Sequence, residues 1–355
     1  MDSAILNQIL NIAFEKKVSD IHFEVDNPPM FRAHGHLIRA KLGNLTKQDT
    51  EFVASAVLEQ HNRKLPEDLK EFDTSYTLAN AGRFRVSIFR QRGNLGVVMR
   101  VIPHQIGTFE ELHLPPVLGR IAQIPNGLVL VTGPTGNGKS TTLASMMKYI
   151  NDTLDYNIVT IEDPIEYLFT SSKSCVIQRE VGIDTESFSV ALRSAMRMNP
   201  DVIMVGEMRD LETIDACVKA AETGHLVLST LHTHNASSTI NRIVGYFPPE
   251  AQENTRQRLA ESLMAIISLR LIRGKSEETI LPALEVMYAT SAIKACIRDN
   301  KLDEIEQYIE KGRDEYGMQT MDQHLIQLCR DKLITLDEAK RISRSKDLER
   351  KLMFS

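Results

Sequence analysis

The chain has no tryptophan, four cysteines in 355 residues, and no apolar run near the ~18 residues of a membrane-spanning helix. Cys175, Cys217, Cys296 and Cys329 are far apart. They form neither a C-x-x-C metal pattern nor a disulfide framework, and a reduced, cytosolic compartment fits them best. An excess of positive charge is also missing. The formal net charge is −5, which argues against nucleic acid as the main partner, because phosphate backbones attract basic surfaces. Low-complexity segments are absent, and 42% hydrophobic with 25% charged residues is an ordinary globular balance. The N-terminal stretch carries Asp2 and Glu15 on an amphipathic pattern, so it reads as a helix rather than a signal peptide. The length suits about two domains.

Against this plain background stands Gly133-Pro134-Thr135-Gly136-Asn137-Gly138-Lys139-Ser140. It matches the phosphate-loop pattern G-x-x-x-x-G-K-[ST] at every fixed position. The apolar run Leu128–Val131 precedes it and the helix-like Thr141–Met147 follows, which is the strand–loop–helix context the motif requires. Glycines let backbone N–H groups close on phosphates at the positive end of the following helix. Lys139 is then placed for the β- and γ-phosphates of a nucleoside triphosphate, and the Ser140 hydroxyl for Mg²⁺. Thr141 extends the predicted binding segment into the helix.

Two regions differ in pattern. The first hundred residues read as α+β: a helix over 4–17, a strand over 20–25, a hairpin over 31–40, a helix over 46–60 opened by Thr46 with Asp49 three residues on, and strands over 82–88 and 95–102. The stretch from Pro103 to Pro116 has three prolines and little periodicity, and reads as a linker. From Gly127 onward apolar strands over 128–132, 157–161, 202–205 and 226–230 alternate with helical stretches, predicting a mainly parallel sheet with helices on both faces. After residue 250 the chain reads as mainly helical, with one apolar run over 282–288. The domains expected are 1–103, a linker over 104–116, and 117–355.

In such sheets ligands lie at the carboxyl ends of strands, and three polar groups follow predicted strands. Glu162, Asp163 and Glu166 follow the strand over 157–161; acids there serve Mg²⁺ or a water, or cap a turn before Pro164. Glu207 follows the strand over 202–205, where an acid orients the water that attacks a γ-phosphate. Asp201, at the other end of that strand, reads as a cap. His225, His232 and His234 surround the strand over 226–230 with spacings of seven and two residues, which fit no common zinc signature. A histidine at a strand end either senses a phosphate or is simply solvated. Arg83, Arg85, Arg90, Arg92 and Arg100 cluster in the first region, as a solvated face or as phosphate-facing cations supplied across a boundary.

Taken together, Thr160–Tyr167 resembles the Asp box, Asp201–Asp210 (DVIMVGEMRD) the Walker B element, and Ala221–Thr233 (AETGHLVLSTLHT) the His box of secretion-type ATPases. With Gly317–Gln323 (GMQTMDQ) and the short N-terminal module, the chain resembles the PilT-type retraction ATPases of type IV pili over essentially its full length. The resemblance implies a PAS-like α+β N-terminal domain, a mobile linker and a RecA-like P-loop ATPase domain with C-terminal helices. It further implies ATP and Mg²⁺, a homo-hexameric ring, and an inner-membrane pilus platform protein as partner, with a paralogous retraction ATPase as another. The place implied is cytoplasmic, peripheral to the inner-membrane pilus machinery, with no nucleic acid partner. By position Glu207 matches the catalytic glutamate, Glu162, Asp163 and Glu166 the Asp box, and His225 and His232 the His box. Arg85 and Arg100 match the two N-domain arginines, and Arg193 a further arginine of the ATPase domain.

Lys294 stands where arginine is usual in the retraction motif, and Met264 and Leu269 where arginine and glutamine are usual. These departures leave open a PilU-like accessory motor. Pilus-extension and type II secretion ATPases typically carry an extra N-terminal domain and a four-cysteine segment that this sequence lacks. A DNA-processing motor conflicts with the acidic balance.

Overall fold

In the first hundred residues the period-two alternation of side chains becomes an antiparallel sheet. The computed structural model describes residues 1–16, 18–33, 35–78, 82–102, 105–276, 279–343, 345 and 348–354. Lys17 at the end of the expected first helix, His34 in the expected hairpin turn, and Pro103 and His104 at the start of the expected linker lie outside the described residues. Two compact units are present, one of residues 1–105 with 164–168 and one of residues 106–163 with 169–355.

The first unit runs α1 (Ser3–Glu15), β1 (Asp20–Phe23), β2 (Met30–Ala33), β3 (His36–Arg39), α2 (Lys47–Glu59), β4 (Glu71–Leu78), β5 (Gly82–Gln91) and β6 (Asn94–Ile102). The six strands lie in the order β3-β2-β1-β6-β5-β4, all antiparallel. The Thr46 hydroxyl accepts from the Asp49 N–H at 3.3 Å, and the Asp49 carboxylate accepts from the Thr46 N–H at 2.8 Å, so α2 opens with the reciprocal cap its sequence predicts. Phe84, Val86, Ile88, Val97 and Met99 point from the sheet into a core shared with Leu6, Ile9 and Leu10 of α1 and Val53 and Val57 of α2. Each such side chain contributes about 1.5–3 kcal/mol, so this face holds the unit together. β4 was not expected, because Asp73, Thr74 and Ser75 interrupt its apolar residues.

The second unit runs α3 (Val117–Ala122), β7 (Gly127–Thr132), α4 (Lys139–Thr153), β8 (Asn157–Glu162), β9 (Cys175–Glu180), α5 (Phe188–Ala195), β10 (Val202–Val205), α6 (Leu211–Glu222), β11 (Leu226–Leu231), α7 (Ala236–Val244), α8 (Gln252–Ser262), β12 (Leu263–Arg273) and β13 (Ile280–Tyr288). Six helices follow: α9 (Ser291–Arg298), α10 (Ile305–Lys311), α11 (Arg313–Tyr316), α12 (Met321–Arg330), α13 (Leu336–Ile342) and α14 (Leu348–Phe354). The sheet order is β13-β12-β7-β11-β10-β8-β9, parallel except where β13 turns back on β12. Successive residues of β7 feed opposite cores. Leu128 and Leu130 join α5 to α8 on one side, while Val129 and Val131 join α3 and α4 on the other.

The mainly helical reading after residue 250 therefore misses β12, an eleven-residue strand. The reason is local: α8 passes directly into β12 at Ser262–Leu263, with no glycine or proline between them. β9 was also unforeseen; it is an edge strand with mixed burial. Near the chain's end, His324 of α12 accepts the Leu284 N–H of β13 through Nδ1 at 2.9 Å. Burial, with Arg313 adding and Asp331 opposing, pushes its imidazole down to about 4. Among the described residues, no helix is long and apolar enough to cross a membrane.

Candidate functional site

The register of the parallel strands sets out the candidate site. Val205 of β10 lies opposite Ile161 of β8 and Ser229 of β11, and Leu231 lies opposite Thr132 of β7. The residues just past these strands are therefore brought to one edge: Gly133 after β7, His232 after β11, Glu207 after β10, and Glu162 closing β8. The strand order puts β11 between β7 and β10, so His232 falls between the phosphate loop and Glu207.

The loop's shape depends on its glycines. Gly136 and Gly138 have φ of 76° and 81°, in the left-handed region. Gly133 has φ 146°, and a Cβ there would lie 2.6 Å from the Leu269 carbonyl of β12. The Asn137 side chain accepts from the Leu271 N–H at 2.9 Å, which ties the loop to β12. That residue is unconstrained by the motif, and only the packing of β12 against the loop gives it a role. Lys139 is 8% exposed, and its Nζ donates to the Pro134 carbonyl at 3.0 Å. Ser140 and Thr141 follow Lys139 in the first turn of α4, with Ser140 exposed.

One imidazole connects the loop to the acid. His232 Nδ1 lies 3.3 Å from Thr135 Oγ1 and 3.4 Å from Lys139 Nζ. Lys139 has only protons to give, so Nδ1 is the acceptor and Nε2 carries the hydrogen. Nε2 lies 3.4 Å from Glu207 Oε2. Glu207 also pairs with Arg209. That hydrogen bond raises the Arg209 pKa; burial opposes it, and the charges of Glu207 and Asp163 reinforce it. Arg209 was not singled out from the sequence. Its signal is a cation two residues after a strand-end acid, where both reach the same sheet edge. Glu162 is buried, and its Oε1 accepts from Thr160 at 2.7 Å and from Gln178 at 3.0 Å. Gln178 stands opposite Thr160 on β9, so the unforeseen edge strand helps orient this carboxylate.

Other expected residues fall elsewhere. His225 precedes β11, and its Nδ1 lies 2.9 Å from the Ala220 carbonyl. Six strand residues separate it from His232, roughly 20 Å at ~3.3 Å per residue. Within this chain it is not brought to the loop, because the strand that carries both histidines delivers them to opposite sheet edges. Asp201 lies at that same amino edge and accepts the Asn157 N–H at 2.8 Å, as a cap does. Arg193 is exposed in the last turn of α5. Asp163 is exposed just past β8.

The remaining three belong to the first unit. Glu166 is exposed in its 164–168 segment. Arg85 and Arg100 are register partners on β5 and β6, with Asp20 opposite Arg100 and Arg32 opposite Asp20. Directly opposite residues share a face, so Arg32, Asp20, Arg100 and Arg85 form one rung across the helix-free face. Arg100 Nε donates to Asp20 at 2.8 Å. Burial raises the Asp20 pKa, but the bonds from Arg100 and Ser19 outweigh it and the carboxyl ends below its ordinary value.

Among the described residues no group of three His, Cys, Asp or Glu could hold a metal by itself. One hydroxyl at Ser140 and a carboxylate at Glu162 suit a cation that arrives on phosphate oxygens and keeps much of its water.

The chain is 44% identical to the type IV pilus retraction ATPase PilT of Pseudomonas aeruginosa, over 94% of this chain and 97% of that protein. It is 37% identical to the type IV pilus ATPase PilU of the same organism, over 94% of this chain and 87% of that one. A crystal structure of the pilus retraction motor PilT with bound ADP superposes with a TM-score of 0.89 at 44% identity, covering 97% of this chain and 99% of that chain. The expected fold class stands: a PAS-like α+β N-terminal part and a RecA-like P-loop part with a mainly parallel sheet and C-terminal helices. The model of the type II/IV secretion system protein family matches residues 2–349, and the chain belongs to that family.

Proposed function

We propose that this chain is the ATP-hydrolysing motor that powers type IV pilus retraction. The observation that carries the reading is the His232 ring, set between the phosphate loop and the strand-end acid Glu207. A site so wired responds to the γ-phosphate, because the group next to Lys139 is also the group next to the residue that orients water. The full-length likeness to PilT supplies the work to which hydrolysis is applied.

The roles follow from placement. Backbone N–H groups of Gly133–Ser140 and the start of α4 cradle the phosphates, with Lys139 on the β- and γ-oxygens. The Ser140 hydroxyl and Glu162 would hold Mg²⁺, which would supply charge neutralisation at the phosphates. Glu207 orients and polarises the attacking water, and His232 senses the γ-phosphate. Asp163 and Glu166 complete the acidic group. Arg85, Arg100 and Arg193 supply positive charge to the phosphates in the assembled motor. The assignment of His225 rests on motif position alone.

The working division is an N-terminal domain over 1–103, a linker over 104–116 and an ATPase domain over 117–355. The assembly is a homo-hexamer on the cytoplasmic side of the inner membrane. It acts on the pilus platform protein, and a paralogous retraction ATPase is a second partner. The higher identity to PilT than to PilU favours the principal motor over the accessory one. Pilus imaging in a strain lacking this chain tests that choice. Excess pili that never retract are expected; normal retraction would reject the principal role in favour of a PilU-like one.

A further inference from the structure

Glu285 interrupts the apolar strand β13, and it is a carboxyl only 7% exposed. Its setting is unusual for a residue outside the phosphate loop, the acids and the histidine. Thr132, Ser268 and Glu285 are register partners across β7, β12 and β13. Thr132 Oγ1 donates to Ser268 Oγ at 3.0 Å, and Ser268 Oγ makes a longer contact of 3.5 Å to Glu285 Oε1. Thr132 and Ser268 are fully buried. The rung begins one residue before the phosphate loop. It ends at a different element, for Glu285 Oε1 accepts the backbone N–H of Ala236, the first residue of α7, at 2.8 Å.

The segment between His232 and Ala236 is thus held at its far end. Asn235 caps α7 with a reciprocal bond to Ser238, and the Thr233 and Thr239 hydroxyls lie 2.6 Å apart. Those contacts are local to the segment and its helix. Glu285 ties the segment to the strands that carry the loop. Beside it lies a polar cavity of about 30 Å³ lined by His234, Asn235, Arg270, Glu285 and Asp322, room for about one or two waters. Burying a carboxyl is costly, and an apolar residue of like volume often serves stability as well. Asn235 serves the Ser238 N–H, so Glu285 supplies the acceptor for a different orphan donor of this helix start, that of Ala236, and draws it to the strands that carry the loop.

We infer that Glu285 is a positioning residue for hydrolysis: by holding the Ala236 N–H it fixes the 232–236 segment, and so sets His232 against Lys139 and Glu207. The inference rests on the role proposed for His232. It is tested by steady-state ATPase assays and fluorescent-ADP binding on the full chain, comparing Glu285→Leu, His232→Ala and the double variant. Glu285→Leu is expected to lower kcat about tenfold or more, since a displacement near 1 Å costs up to ~10²-fold, with ADP affinity within about threefold. On the His232→Ala background the same change should cost less than about twofold, because its effect passes through the missing ring.

Full multiplication of the two losses would overturn the inference while leaving the reading of His232 intact. So would an unchanged kcat, or a loss confined to ADP affinity. An unchanged kcat in His232→Ala alone would overturn both. Ala236→Pro gives the second route should Glu285→Leu fail to fold. Proline is accommodated at the first helical position, and Asn235 before it is already extended at φ −160° and ψ 172°. That variant removes only the donor, and the same pattern is expected; its absence overturns the inference.

Discussion

The two sheets of this molecule use opposite strategies. The seven-stranded sheet is covered on both faces, so its central strands are largely apolar and the groups of the candidate site gather at the strand ends. The six-stranded sheet packs α1 and α2 against one face, and the opposite face carries the rung Arg32–Asp20–Arg100–Arg85. At the strand ends of the first sheet one side chain can have several fixed neighbours, as His232 has Thr135, Lys139 and Glu207. On the rung of the second, Arg100 and Arg32 pair with the buried Asp20 while their own guanidinium side chains keep substantial exposure. The first arrangement suits groups that must not move, and the second suits groups free to meet another surface.

The largest effects are expected where the covered sheet ends. Lys139→Ala should lower kcat/KM by roughly 10²–10³, the scale for losing one preorganised donor to a phosphate or oxyanion, with nucleotide affinity falling in a fluorescent-ADP titration. Glu207→Gln should lower kcat by about 10²–10⁴ while ADP affinity stays within about threefold. Equal ATPase rates for Glu207→Gln and wild type would remove the catalytic assignment.

The next effect concerns the covered sheet's stability. His324 titrates near 6.5 when unfolded and near 4 when folded, so its neutral form is favoured by folding. Its stabilisation is complete above pH 6.5 and is lost as the pH falls from 6.5 toward 4. Between pH 7 and pH 5 this amounts to about 2 kcal/mol. Thermal melts of wild type and His324→Asn, which keeps an acceptor, should converge as the pH drops. Parallel pH profiles would show that the buried imidazole does not control this unit.

The smallest structural effect is expected on the rung of the six-stranded sheet. Arg100→Ala should destabilise the fold by less than ~1 kcal/mol, yet lower ATPase activity about tenfold if its charge meets a phosphate, the scale of a lost charge-assisted bond. A large drop in melting temperature would break the contrast between the sheets, and full activity would leave the rung a solvated surface.

Much of the covered sheet was legible because its central strands are short, largely apolar and separated by helices of ordinary period. The phosphate loop, Glu207 and His232 were legible because each directly follows such a strand. β12 was not, since a helix runs into it without a breaker, and β4 and β9 were not, because neither is an apolar run: Asp73, Thr74 and Ser75 interrupt one and Gln178, Arg179 and Glu180 close the other. Glu285 was missed because its partners, Ala236 and Ser268, lie on other elements, with no local spacing to mark it; Arg209 was missed because a cation two residues from an acid is marked only once both are known to reach the same strand ends.

By itself the sequence determined that this chain holds a phosphate loop between a strand and a helix, that acids and histidines follow neighbouring strands, and that the whole resembles a pilus motor. Those are properties of local spacing and backbone freedom, which a linear chain carries openly. Only the tertiary structure decided which of these residues meet. Strand order placed His232 between the loop and Glu207, and strand direction sent His225 to the opposite edge. Order and direction in a sheet come from packing two apolar faces against helices, and no stretch of sequence contains that alone.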